Sequence, residues 1–512
     1  GQQIHCNAFK TAAVDSSDPT VSNSLLAMYS KHRDTPSAVK LFDEMPHRDS
    51  VSWSSMINCY SRSGLSRKAM HTFTQMYSRG FAPTPELMAA CLSACRKDEN
   101  SKFGRAIHGL VFVDERVEDC SSFLASSLVD FYCKAHDLST ACCVFDRIPE
   151  KNVASWTAMI CGWIQYGDHI RAIECLKAMQ RENTEPNVVT LISVLPAVAP
   201  GKEIHAYAIR RGCDSDPRLS SALLHVYCSC GGVRNLHVAR LIFDRSAKEI
   251  TMWSSMIAGY SKSKGQARKS IKLFNRMQTE GIRPNNVTML GLISACSNLI
   301  SLSDGHGVHG HSMKSGLISH LPVQNAMIDM YAKCGSLSES EKVFHGISNR
   351  DCISWSALIN AYGLYGCAEK ALKCFYELLG SEIEPDGVAY LAALSACNHG
   401  GMEDEGKAIF ELARKDGGTL SSEHYACYVD LLGRAGKLED AYSVVCSMPM
   451  RPSPRILTSL ASACKLHGRL NLAEALAGIL INDEPEKAAT HKLVSMIYAE
   501  SGNWPKVEEI RR

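Results

Sequence analysis

Two short words return along this chain of 512 residues at a spacing near one hundred. A Ser-Trp or Met-Trp pair leading into a Met-Ile or Leu-Ile stretch occurs at Trp53, Trp156, Trp253 and Trp355, in steps of 103, 97 and 102 residues (156−53, 253−156, 355−253). Between these lies a Tyr-bearing word: LLAMYSK ending at Lys31, LVDFYCK at Lys134, LLHVYCS at Ser229 and MIDMYAK at Lys333. Self-similarity at a fixed period marks a stacked array, in which units too small to bury a core alone share one with their neighbours. The count of three or four globular domains that the length alone would suggest gives way to one array. The repeat, not a pocket, becomes the place to look for function.

Bulk properties narrow the class further. Apolar residues make up 45% of the chain, enough for a continuous core, and no run of eighteen apolar residues suggests a membrane span. Lys and Arg number 55 against 53 Asp and Glu, a net charge of +2. A phosphate-tracking domain is usually far more basic, although a neutral total can hold a basic groove between acidic faces. The 22 cysteines follow the repeat: Cys95, Cys296, Cys397 and Cys464 share one SAC-type word, and Cys133, Cys228 and Cys334 stand in or beside the Tyr word. Cysteine at a fixed helical place is a small buried hydrophobe, and the chain has no C-x-x-C, so neither structural zinc nor a disulfide framework is expected. The chain opens with GQQIHCNAFK, already inside a repeat, so a targeting segment is expected only upstream of it.

Aligning the words cuts the chain into three rotating unit types. Short units cover 19–49, 122–152, 217–249, 321–351 and 422–453. Medium units cover 50–84, 153–187, 250–285 and 352–386. Long units cover 85–121, 188–216, 286–320 and 387–421, with the tail of an earlier one at 1–18. The unit at 188–216 is shorter than its siblings, as if it lacked the turn between its helices.

Each unit reads as two helices. In 50–84, Val51, Trp53, Met56, Ile57 and Tyr60 form the i, i+3, i+4 stripe of an amphipathic helix. Ser63-Gly64 ends it, because Gly accepts a left-handed cap. SRKAMHTFTQMYSRG then forms a second helix that closes at Gly80 ahead of Pro83. No strand-period run interrupts this pattern, and the fold class is all-α.

Strict short–medium–long rotation, with SW-(x)2-(M/L)-I, YAKCG, VFD-(x)-(I/M)-P and SAC words, resembles the pentatricopeptide repeat proteins of plants. The closest subclass is the one with alternating P, L and S repeats. MIDMYAKCGSLSESEKVF at 327–344 and YVDLLGRAGKLEDA at 428–441 stand close to the family pattern, and the resemblance runs over the entire chain. It implies a right-handed superhelical solenoid of helix-turn-helix repeats: a partial L repeat at 1–18, an array of thirteen full units at 19–453, and two E-type extension repeats at 454–512, the second truncated. A tetratricopeptide array, whose units are uniform in length, fits less well.

The resemblance also implies a binding mode. Such repeats read single-stranded RNA one base per unit, through the fifth residue of the unit and its last residue. Asn23 with Asp49 and Asn325 with Asp351 then match uracil pairs. Ser126 with Asn152, Thr157 with Asn187 and Ser254 with Asn285 are similar to adenine pairs, and Ser356 with Asp386 resembles a guanine pair. Ser54 with Thr84 and Ser221 with Glu249 depart from the usual pairs and receive no base. The long units carry Ala89, Ile192, Leu290 and Leu391 at the fifth place, which offer no hydrogen bond and space the array or tolerate any base. In the family an aliphatic second residue sandwiches each base, a role that falls here to Val51, Val189, Val287, Ile353 and Val388. Stacking of this kind is worth about 1–3 kcal/mol per base on an aromatic partner, and less on an aliphatic one. Read 5′ to 3′, the thirteen units spell U-n-n-A-A-n-n-A-n-U-G-n-n. Taken singly, a Ser near a helix start is a cap and an Asp or Asn after Pro is a turn former. Recurrence at both places in successive units favours the pair.

His306, His309 and His311 in DGHGVHGH look like metal ligands, yet His5, His108, His205 and His309 occupy one repeat position, which points to helix packing or surface. Editing factors of this family often end in a cytidine deaminase with H-x-E followed by C-x-x-C. Neither motif is present, nor a P-loop or G-x-S-x-G. The expectation is therefore an RNA-binding adaptor without a catalytic site or cofactor. It would act in a mitochondrion or chloroplast and present a cytidine for C-to-U editing to a deaminase carried further along the protein or on a partner. A stabilisation, splicing or translation factor, or a protein-binding helical scaffold, are the alternatives.

Overall fold

The computed structural model describes residues 19–95, 101–113, 122–415, 420–483 and 488–511; the partial unit at 1–18, with His5, lies outside them. Among the described residues the chain is made of helices and turns alone, the all-α solenoid of helical hairpins that the repeat period predicts. It divides at Ala247–Lys248 into two compact units. The first runs through hairpins such as Ser50–Arg62 with Ser66–Ser78 and Val153–Gln165 with His169–Arg181. The second runs from Ile250–Lys262 with Ala267–Thr279 to Ala488–Glu500 with Trp504–Arg511. Within each unit the first helix of a hairpin packs on its own second helix and on the first helix of the next hairpin.

Local chemistry sets these boundaries. Asp49, Asn152, Asn187, Asn285, Asp351 and Asp386 are N-caps, each accepting the backbone N–H three residues on. Gly64 at φ 74° supplies the left-handed turn between the helices of its hairpin.

The recurring tryptophan is the pin between hairpins. Phe42 meets Trp53 edge-on at 5.1 Å, Phe145 meets Trp156 at 4.8 Å and Phe344 meets Trp355 at 5.0 Å. In each case a ring on one second helix packs on the indole of the following first helix. These indoles are buried, and losing one costs about 3–5 kcal/mol. Arg48 and Arg350 repeat a further detail: each guanidinium lies 4.6 Å over its Phe ring and donates to that residue's carbonyl. Cys95, Cys296, Cys397 and Cys464 are all buried.

The shortened long unit at 188–216 corrects one expectation. Its turn is present, as a 3-10 segment Leu195–Val198 followed by Ala199–Gly201. What has shrunk is the helices. Val188–Val194 has 7 residues where Asn286–Leu299 has 14, and Lys202–Arg210 has 9 where Leu302–Lys314 has 13. Pro196 has no N–H to continue the helical ladder, and so the first helix gives way to the 3-10 turn.

Candidate nucleic-acid interface

For the pairs named above, the cap that starts a first helix is also the last residue of the preceding unit, and in most of them it stands beside that unit's fifth residue. Asn23 Nδ2 donates to both Asp49 oxygens at 3.1 Å. Asn325 Nδ2 donates to Asp351 Oδ1 at 3.0 Å. Ser126 Oγ lies 3.0 Å from Asn152 Oδ1 and 2.6 Å from the Ser122 carbonyl, and Ser254 Oγ lies 3.2 Å from Asn285 Oδ1 and 2.9 Å from the Ile250 carbonyl, so each shares its one proton between the pair and its own helix. Thr157 reaches Asn187 through Thr190: the two threonine hydroxyls are 2.7 Å apart, and Thr190 Oγ1 donates to Asn187 Oδ1 at 3.0 Å. Five of the six assigned pairs are thus joined by hydrogen bonds over sequence gaps of about thirty residues.

The sixth is not drawn together in this way. Ser356 Oγ donates to the Cys352 carbonyl at 2.8 Å, while Asp386 caps Ala389 N–H at 2.9 Å. Ser54 likewise turns to the Ser50 carbonyl and Thr84 to Leu87 N–H. Ser221 is half-buried on the first compact unit, and Glu249 is exposed at the start of the second.

The cap fixes which atom of the loop residue remains available. A backbone N–H only donates, so it must meet oxygen. Thr288 N–H, for example, lies 2.9 Å from Asn285 Oδ1, and Thr190 N–H lies 2.9 Å from Asn187 Oδ1. With Oδ1 committed, an Asn has its Nδ2 hydrogens to offer outward, one of them at Asn152 also reaching the Ser122 carbonyl at 3.4 Å. Asp351 takes Asn325 Nδ2 and Ser354 N–H through Oδ1, so Oδ2 remains as an acceptor. Burial would raise the Asp49 and Asp351 carboxyls, but bonds from Ser52 and Asn23, and from Ser354 and Asn325, outweigh it and hold both below the usual value. Both are ionised acceptors at neutral pH.

Several of these residues share a groove. In the first compact unit Ser126, Thr157, Asn187 and Val189 line a groove of about 780 Å³ along four consecutive first helices. In the second, Asn325, Asp351, Ile353, Ser356 and Val388 line one of about 680 Å³. Asn23 with Asp49 and Ser254 with Asn285 occupy the same places on their own hairpins. Val51, Val189, Val287, Ile353 and Val388 project into solvent, from 49% exposed at Val189 to 62% at Val388. Exposed aliphatic groups on otherwise apolar-in helices are unpartnered apolar surface beside a polar edge. Phe123 belongs with them. It is 55% exposed, lines the first groove and holds the second place of unit 122–152, where counting the register would have found it.

The histidines form another set of bonds. His108 Nδ1 lies 2.8 Å from Tyr132 Oη, His205 Nδ1 3.2 Å from Tyr227 Oη and His309 Nδ1 2.8 Å from Tyr331 Oη. His306 also approaches Tyr331, at 3.3 Å, and His311 packs edge-on to Phe274.

Comparison with known proteins places this architecture. Models of the PPR repeat match residues 20–50, 51–81, 154–184, 325–352 and 353–383, and a model of the PPR repeat family matches 248–298. A mitochondrial pentatricopeptide repeat-containing protein of Arabidopsis thaliana is 45% identical over 522 residues, covering 100% of this chain and 82% of that protein. Another from the same plant, also mitochondrial, is 34% identical and covers 100% and 74%. Among solved structures, the pentatricopeptide repeat protein PPR10 from maize superposes with a TM-score of 0.63 at 19% identity, over 96% of this chain and 72% of that one. PPR10 in complex with an 18-nt psaJ RNA element gives 0.60 at 17% identity, over 96% and 78%. With sequence identity sustained over its whole length, the chain belongs to the pentatricopeptide repeat family.

Proposed function

We propose that this chain is a sequence-specific, single-stranded RNA-binding protein of a plant organelle, and that it selects sites for C-to-U editing. The observation that carries the reading is the pairing of fifth and last residues on the groove side of successive hairpins. An Asp-ended pair offers an acceptor to a base N–H, as in uracil or guanine. An Asn-ended pair offers a donor to the ring nitrogen of adenine or cytosine. The exposed second residues supply apolar faces against which bases pack. A relative's solved complex with RNA and the mitochondrial names of two Arabidopsis proteins support the ligand class and the organellar setting. The unit lengths support the subclass with alternating P, L and S repeats over 19–453, and the divergent hairpins at 454–512 support E-type extension repeats. In this reading the extension meets a deaminase-bearing partner.

The test is fluorescence anisotropy with RNA carrying U-n-n-A-A-n-n-A-n-U-G-n-n against a permuted sequence of equal composition. The specified word should bind at least tenfold tighter. Equal affinities would remove sequence reading, and no binding to either RNA would leave a protein-binding scaffold.

A further inference from the structure

Each bonded pair is accompanied by a third side chain from the same place, the third residue of the following unit. It is Ser52 for Asn23 with Asp49, Ser155 for Ser126 with Asn152, Thr190 for Thr157 with Asn187, Thr288 for Ser254 with Asn285, and Ser354 for Asn325 with Asp351. All five hydroxyl residues are completely buried. The pair Ser356 with Asp386 has Ala389 at this place and Ser54 with Thr84 has Leu87. In those pairs Ser356 and Ser54 bond the carbonyl four residues back, as Ser126, Thr157 and Ser254 also do, but no hydrogen bond joins the two members.

The uracil-type pair shows what the hydroxyl does. Ser354 Oγ accepts from Asp351 N–H at 3.3 Å and lies 2.7 Å from Asn325 Oδ1 and 2.8 Å from Asp351 Oδ1; its one proton goes to the amide oxygen, because Asp351 Oδ1 already takes Asn325 Nδ2 and Ser354 N–H. Asn325 Nδ2 in turn donates to Asp351 Oδ1, which also takes Ser354 N–H at 2.8 Å. Ser52 repeats the arrangement around Asn23 and Asp49, with 2.7 Å to Asn23 Oδ1 and 2.8 Å from Ser52 N–H to Asp49 Oδ1. A carboxylate can only accept, so the nitrogen of the Asn must face it. The hydroxyl completes the lock by giving the amide oxygen its donor. Asn325 is then held with one Nδ2 hydrogen left over next to Asp351 Oδ2, a fixed donor and acceptor on one edge.

We infer that two of these buried hydroxyls, Ser354 and Ser52, are positioning residues for base selectivity: they hold the amides of Asn325 and Asn23 in one orientation without touching the base. The inference rests on the RNA-reading function proposed above. In Ser354→Ala the backbone N–H of residue 354 still meets Asp351, so that half of the capping box survives while the Asp351 N–H loses its acceptor. The buried oxygen of Asn325 loses its donor. The amide, now held by Asp351 alone, is freed to rock about its side-chain bond, so its spare Nδ2 hydrogen no longer stands at a fixed place beside Asp351 Oδ2 and the match to uracil weakens.

Two measurements test this on the full chain, with Ser354→Thr as the conservative control. The first is binding to four RNAs that differ only at the nucleotide opposite unit 321–351. The ratio of best to worst base should fall about tenfold in Ser354→Ala, the scale of one hydrogen bond, and return in Ser354→Thr. The second is NMR hydrogen exchange of the Asn325 side-chain amide without RNA, which should accelerate in Ser354→Ala and not in Ser354→Thr. Full discrimination retained by Ser354→Ala overturns this inference alone. A wild-type chain that binds RNA with no preference at this nucleotide overturns the base-reading assignment, and the inference falls with it.

Discussion

The imidazole of His309 lies 2.8 Å, Nδ1 to Oη, from the phenol of Tyr331, and this contact is a repeat feature. His108 with Tyr132 and His205 with Tyr227 make the same bond between the second helix of a long unit and the first helix of the short unit after it. The Tyr word and the recurrent histidine are thus two halves of one joint between unlike units.

Burial holds His108, His205 and His309 below the ordinary histidine value; Arg147 adds to this at His108, while Asp214 at His205 and Glu339 at His309 oppose it. The folded state therefore binds protons less readily than the unfolded chain. Its stability is complete above about pH 6.5, the unfolded value, and declines as the pH falls through the folded values. Urea midpoints at pH 7.5 and 5.5 should show this loss, and replacing the three histidines with Asn should shrink the difference. An unchanged difference would mean that other groups govern acid stability. At pH 7.5, Tyr331→Phe should cost about 1 kcal/mol.

Asp351→Asn exchanges the outward acceptor for a donor while leaving an N-cap of equal quality. At the nucleotide opposite unit 321–351 the preference should move from uracil toward cytosine by about tenfold, with thermal stability unchanged. Competition binding with the four single-base variants reads this out. Loss of binding to all four bases would show that the carboxylate acts structurally.

Ile353 and Val388 are 60% and 62% exposed, so truncation should alter stability by no more than about 0.5 kcal/mol. If each packs on a base, Ile353→Ala and Val388→Ala should each weaken RNA binding by about three- to tenfold. Paired calorimetry and anisotropy separate the two effects. Wild-type affinity in both variants would remove the sandwich.

Consecutive first helices approach closely where glycine permits it. A Cβ on Gly162 would stand 2.4 Å from Cys133 Sγ and 2.9 Å from Cys133 Cβ. Gly162→Ala should therefore destabilise the protein by about 1–3 kcal/mol. Gly109, in the helix Ser101–Val113, has nothing within 4 Å, and Gly109→Ala should stabilise by about 0.5–1 kcal/mol. Melting temperatures moving in opposite directions would bear out the packing.

Burial pushes the thiols of Cys296 and Cys397 up to about 12, so at pH 8 they are neutral and shielded. Iodoacetamide should label exposed Cys143 and Cys446 quickly and reach Cys296 and Cys397 only on unfolding. Mass spectrometry after a brief pulse distinguishes them. Rapid native labelling of Cys296 would show that the joint opens readily.

The sequence by itself determined the helical hairpin array, because its signals are local. The apolar stripe through Trp53, Met56, Ile57 and Tyr60, the glycine at 64 and the proline at 83 each act within a few residues of their own position. The same locality made the register of fifth and second residues countable. What the tertiary structure decided depends on contacts some thirty residues apart. Asp351 could be recognised as a turn former, but not as a cap that also grips Asn325, since that bond needs two hairpins stacked at a particular pitch. Ser354 looked like any residue of a Ser-Trp word until its hydroxyl was found between the two. The unit at 188–216 shows the limit most clearly. A lost turn and shortened helices remove equal lengths of chain, and only the path through Leu195–Gly201 tells them apart.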